Sequence, residues 1–68
     1  MQAWITEGDG PTVELAITDD RLAVIASRLL PADASREAWD EALVALAYVR
    51  MGPWLLSSSG YCARVARL

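Results

Sequence analysis

Between Thr12 and Thr18 apolar and polar positions alternate, with Val13, Leu15 and Ile17 on one side and Thr12, Glu14 and Ala16 on the other. That period of two is the signature of a half-buried β-strand. Gln2 to Glu7 forms a second short strand, and Gly8-Asp9-Gly10-Pro11 between them supplies turn chemistry, so the two segments are expected to form a β-hairpin. Downstream the rhythm changes. Leu22, Ile25, Ala26 and Leu29 fall at helical spacing after Thr18-Asp19-Asp20, a group suited to a helix start, and Pro31 would end this first helix near Leu30. A second, stronger helix is expected over Ser35–Met51. Trp39, Ala42, Leu43, Leu46 and Val49 make its apolar stripe, Ser35 its cap, and Gly52-Pro53 its stop. Trp54 to Ser57 and Tyr61 to Leu68 read as two closing strands around Ser57-Ser58-Ser59-Gly60.

The predicted order is strand-strand-helix-helix-strand-strand. A single α+β domain over residues 1–68 follows, an antiparallel sheet with two helices on one face. Trp39, Leu43 and Leu46 would meet Val13, Leu15 and Ile17 in its core, with Trp4 and Trp54 at the ends.

Composition narrows the chemistry. There is no histidine and a single cysteine, Cys62, so neither an internal disulfide nor a structural zinc site is expected. No base stands ready for a nucleophile, Ser57 to Ser59 lack the nucleophile-elbow pattern, and Gly8-Asp9-Gly10 leads into no helix that could cradle a phosphate. The expectation is a protein without catalysis, cofactor or metal. No basic stretch followed by an apolar run opens the chain, and Ala42–Val49 is too short to span a bilayer, so a soluble cytoplasmic protein is expected. All the basic residues are arginine, and with the abundance of alanine this hints at a GC-rich bacterial or phage genome.

Charge supplies the remaining signal. The net formal charge is −3. Residues 1–20 carry Glu7, Asp9, Glu14, Asp19 and Asp20 without a base, while residues 51–68 carry Arg64 and Arg67 without an acid. The acidic excess argues against the basic footprint of a nucleic-acid binder. On the outer side of the second helix Glu37, Asp40, Glu41, Val44, Tyr48 and Met51 lie together. They would be covered by the terminal hairpin or by a second copy of the chain, or they form a patch that binds a basic partner. The candidate partner-binding residues are these six with Glu7, Asp9 and Glu14 of the hairpin. Val44, Tyr48 and Met51 would also serve as the contact of a weak homodimer.

Two resemblances bear on function. In size, acidity and lack of motifs the chain resembles phage-encoded inhibitors such as anti-CRISPR proteins, several of which imitate DNA. That resemblance implies a non-catalytic protein occupying a basic, nucleic-acid-binding site on a larger partner in the host cytoplasm. Separately, the VELAIT strand, the TDD helix start and REAWDEAL within residues 12–50 are similar to ribbon-helix-helix DNA-binding proteins. The alternative implied is a dimeric transcriptional regulator or antitoxin, with Thr12, Glu14 and Ala16 at the positions that read the groove.

Overall fold

The computed structural model describes residues 1–8 and 10–68. Strands dominate it: β1 (Gln2–Glu7), β2 (Thr12–Thr18), β3 (Val24–Pro31), β4 (Tyr48–Arg50), β5 (Leu55–Ser57) and β6 (Gly60–Arg67), with one helix, α1 (Arg36–Ala45), between β3 and β4. The strands lie in the order β3-β2-β1-β6-β4, with β5 also paired to β6, and every pairing is antiparallel. The sheet curls into a half-barrel.

The β1–β2 hairpin forms over the residues whose alternation announces it, with Ala3 opposite Ile17 and Ile5 opposite Leu15. These four side chains are buried and, with Ala63 and Val65 of β6, form the inner face of the sheet. Trp39, Ala42 and Leu43 of α1 close that core from above. Leu15, Ile17 and Leu43 are sealed from solvent, the state in which removing a methylene is most costly.

The two-helix α+β arrangement is not what forms. Residues 24–31, expected as the first helix, are an edge strand paired with β2. Six of its eight residues are exposed, so the stripe expected to be buried by a helix stays largely open to solvent. Local chemistry explains the switch. The Asp19 carboxylate, expected to cap a helix, instead accepts from the N–H groups of Arg21 (2.9 Å) and Ala23 (3.0 Å) and closes a turn. Leu22 sits at φ +62°, a conformation foreign to a helix interior. Val24 and Ile25, adjacent and β-branched, then enter a strand, and the open side of β2 gains a hydrogen-bonding partner.

The second helix is shorter than Ser35–Met51. Ser35 caps it as expected, its Oγ accepting from the Ala38 N–H at 3.2 Å. It stops at Ala45, because Ala47 turns left-handed (φ +71°) and Tyr48–Arg50 pair with Arg67–Val65. Val49 fits a helical stripe and a strand equally well, and the ladder with β6 decides. With the first helix absent, the strand-helix-helix order behind the ribbon-helix-helix resemblance is absent too. Ala16, one of its groove-reading positions, is 7% exposed.

Candidate interaction site

The best-defined polar constellation sits where α1 meets β4. Asp40 leaves the helix toward Arg50, which donates from Nε at 3.0 Å and from Nη2 at 3.2 Å in a two-pronged contact. Trp54 Nε1 donates to the same carboxylate at 2.9 Å, and Arg50 Nη1 reaches the Gly52 carbonyl at 2.7 Å. One side chain thus ties the helix, β4 and the loop before β5. The hydrogen bond from Arg50 is the main force holding the Asp40 carboxyl below its ordinary value, against the opposing effect of burial, with Trp54 and the Arg50 charge adding to the drop. The same bond raises Arg50.

Beneath this latch Trp39 and Trp54 meet edge to face, centroids 5.3 Å apart at 77°, and Tyr61 lies 5.3 Å from Trp39 on another side. Arg36 stands over the Tyr61 ring at 4.9 Å. Helix α1 is therefore anchored by aromatic packing to the loop before β5 and to β6, and by charge to β4.

The nine candidate residues separate. Glu37, Glu41 and Val44 are exposed one turn apart on the side of α1 away from Trp39, Ala42 and Leu43. Among the described residues the ion pairs are Met1 with Asp20 and Arg50 with Asp40, so the carboxylates of Glu37 and Glu41 carry none. Asp40 is half-buried and committed to the latch. Tyr48, expected on the exposed helix face, is a core residue at 6% exposure, because β4 turns it inward. Met51 is 64% exposed, but its N–H bonds the Arg64 carbonyl and continues the β4 register, which places it on the outer face of the sheet, away from α1. The homodimer contact of Val44, Tyr48 and Met51 is accordingly broken up. Glu7 pairs with Val13 and Glu14 with Thr6, so these two exposed carboxylates point to opposite faces of the hairpin. Asp9 lies outside the described residues.

An open cleft of about 650 Å³ lies beside Trp39, bounded by Ile5, Glu7, Val13, Ser58 and Tyr61. Its rim, among the described residues, carries the carboxylate of Glu7, with the Tyr61 phenol beside it. Among the described residues no group of three or more Cys, Asp or Glu side chains is placed to hold a metal ion. No helix among the described residues is long and apolar enough to cross a membrane.

The sequence patterns missed the exposed apolar side chains Leu22, Val24, Ile25 and Leu29 in and before β3. The signal for them was present in the β-branched pair Val24-Ile25 and in Pro31, which is tolerated at a strand end and on an edge. Cys62 is free and half-buried, opposite half-buried Trp4 on the outer face. Set against known proteins, the chain matches no family model, no curated protein and no solved structure.

Proposed function

We propose that this chain is a non-catalytic protein-binding protein that occupies a basic site on a larger partner through the α1 ridge of Glu37, Glu41 and Val44. The observation that carries this reading is the ridge itself: two carboxylates without ion pairs, one turn apart, with an exposed apolar side chain at the next turn. The helix bearing them is held by the Asp40 latch, so the charges are presented at fixed spacing and little ordering entropy is lost on binding. Arginine and lysine side chains of the partner pair with the carboxylates, and Val44 adds desolvated contact area between them. In this reading the protein works as the small acidic phage-encoded inhibitors do, in the host cytoplasm, by denying a nucleic-acid-binding surface its phosphates.

Association through this ridge is steered by charge and weakens as salt rises, because exposed charges are screened within about 8 Å at physiological ionic strength. The test is capture of partners from a host lysate on immobilised parent and on Glu37→Arg/Glu41→Arg, followed by association kinetics at low and moderate salt. The parent should take a basic protein with a salt-dependent on-rate, and the double variant should lose it while keeping its fold. Equal on-rates for parent and variant at both salts would remove the ridge from the contact.

A further inference from the structure

The two ends of the sheet are unequal. One closes with three-residue β4, whereas the other ends in eight-residue β3, which has β2 on one side and solvent on the other. Its hydrogen-bonding inventory follows from two contacts. Gly8 N–H donates to the Thr12 carbonyl in the β1–β2 ladder, and Ala32 N–H donates to the Pro11 carbonyl in line with the β2–β3 ladder, both at 3.0 Å. Main-chain groups of successive strand residues alternate sides, so Val13, Leu15 and Ile17 bond Leu30, Arg28 and Ala26. The N–H and C=O groups of Ser27 and Leu29 therefore face outward, as does the carbonyl of Pro31. The same segment carries exposed apolar side chains, Leu22 at 68%, Val24 at 62%, Ile25 at 42% and Leu29 at 63%.

We infer that β3 pairs antiparallel with β3 of a second copy of this chain, about a two-fold axis at Ser27. The occupant is a second copy because the edge is complementary to itself. In this register Ser27 exchanges main-chain hydrogen bonds with Ser27 of the other copy. Arg28 stands beside the small Ala26, and exposed Leu29 lies toward exposed Ile25 of the other copy. Shifting the axis to Arg28 would set two guanidinium groups directly opposite, so the Arg28 charge selects the register. The flanks agree in charge. Exposed Arg21 precedes the strand and exposed Asp33 follows it, neither in an ion pair among the described residues, and antiparallel pairing brings each toward its opposite on the second copy. The contact is isologous and uses up the long edge, and the register shift at Ile17/Thr18 together with Pro31 limits pairing to the middle of β3. The result is a closed dimer with one continuous sheet.

Sedimentation equilibrium over a wide concentration range tests this on the parent, Ser27→Pro, Arg21→Asp, Asp33→Arg and the double charge exchange, with near-ultraviolet dichroism of the tryptophans as the folding control. Proline at position 27 removes only an N–H that faces solvent within the monomer, so the fold should survive and the dimer should dissociate. Each single charge reversal should weaken dimerisation by about tenfold, since each pair occurs twice across the axis, and the double exchange should restore it. A parent that stays monomeric throughout overturns the inference, as does a dimer unchanged by Ser27→Pro. Should Ser27→Pro fail to fold, the charge series decides, and equal dimerisation of all three charge variants overturns it.

Discussion

The corner where α1 meets β4 and the free edge along β3 each set apolar side chains beside hydrogen-bonding groups, and they put them to opposite use. At the corner Asp40, Arg50 and Trp54 satisfy one another, and the rings of Trp39 and Trp54 are covered. Along β3 the Val24, Ile25 and Leu29 side chains and a row of main-chain groups stand open to solvent. In a chain of 68 residues, which buries only roughly 60% of its unfolded surface, the two regions cannot both be surplus. The difference teaches that stability and association are held in separate places. Substitutions at the corner should change the melting transition, and substitutions on the edge should change only which molecules stay together.

The largest expected effect lies in the scaffold that both regions share. Gly60 has φ +145°, and a Cβ there would run into the Ile5 carbonyl of the neighbouring strand. Gly60→Ala should therefore separate β6 from β1 and leave little folded protein, seen as loss of the tryptophan near-ultraviolet dichroism. Trp39→Ala comes next, at about 3–5 kcal/mol in chemical denaturation, because it empties the space between Trp54 and Tyr61.

Asp40→Ala should cost about 1–2 kcal/mol, most of it from the buried Trp54 N–H left without an acceptor. The Arg50 pair contributes little, since both side chains are more than a third exposed. The pH dependence has a definite sign. The folded carboxyl is held below its ordinary 3.8, so its contribution is present above that value and is lost as pH falls through the lower folded value. Acid titrations of parent and Asp40→Asn should diverge only in that range, with the parent losing the extra stability. Parallel curves would show that the latch is not a source of stability.

The helix at the corner is legible in the sequence, whereas its junction with β4 and the edge are not. Ser35, Trp39 and Leu43 mark a helix by capping and spacing that no other element satisfies, so Glu37, Glu41 and Val44 are placed on its solvent side without a structure. Tyr48 is misplaced because helical and strand periods coincide over Leu46 to Val49, and the deciding ladder with β6 comes from eighteen residues or so further on. Residues 19–31 fail for a related reason. Asp19 can cap a helix or close a turn, Leu22, Ile25, Ala26 and Leu29 happen to fall at helical spacing, and only the unpaired side of β2 distinguishes the outcomes. Local pattern records what a segment can do, whereas a sheet edge elsewhere in the chain selects among the possibilities.

The smallest effect on folding should come from the edge. Leu29→Asp replaces an exposed side chain, so the monomer's stability should move by no more than about 0.5 kcal/mol while dimerisation is lost. Val44→Asp, on the α1 ridge, should leave the dimer unaltered. A reversal of that pattern, with Val44 controlling assembly and Leu29 indifferent, would exchange the roles assigned to the two regions.

Residue-resolved hydrogen exchange along β3, measured in dilute and concentrated protein, tests the separation of the two regions most directly. In dilute protein the amides of Ala26, Arg28 and Leu30, which face β2, should be protected, and those of Ser27 and Leu29 should exchange freely. On concentration Ser27 and Leu29 should gain protection while the amides of α1 keep theirs. Uniform protection from residue 24 to residue 30 at both concentrations would contradict the account, since it would mean that this segment is a helix or an edge already closed within one chain.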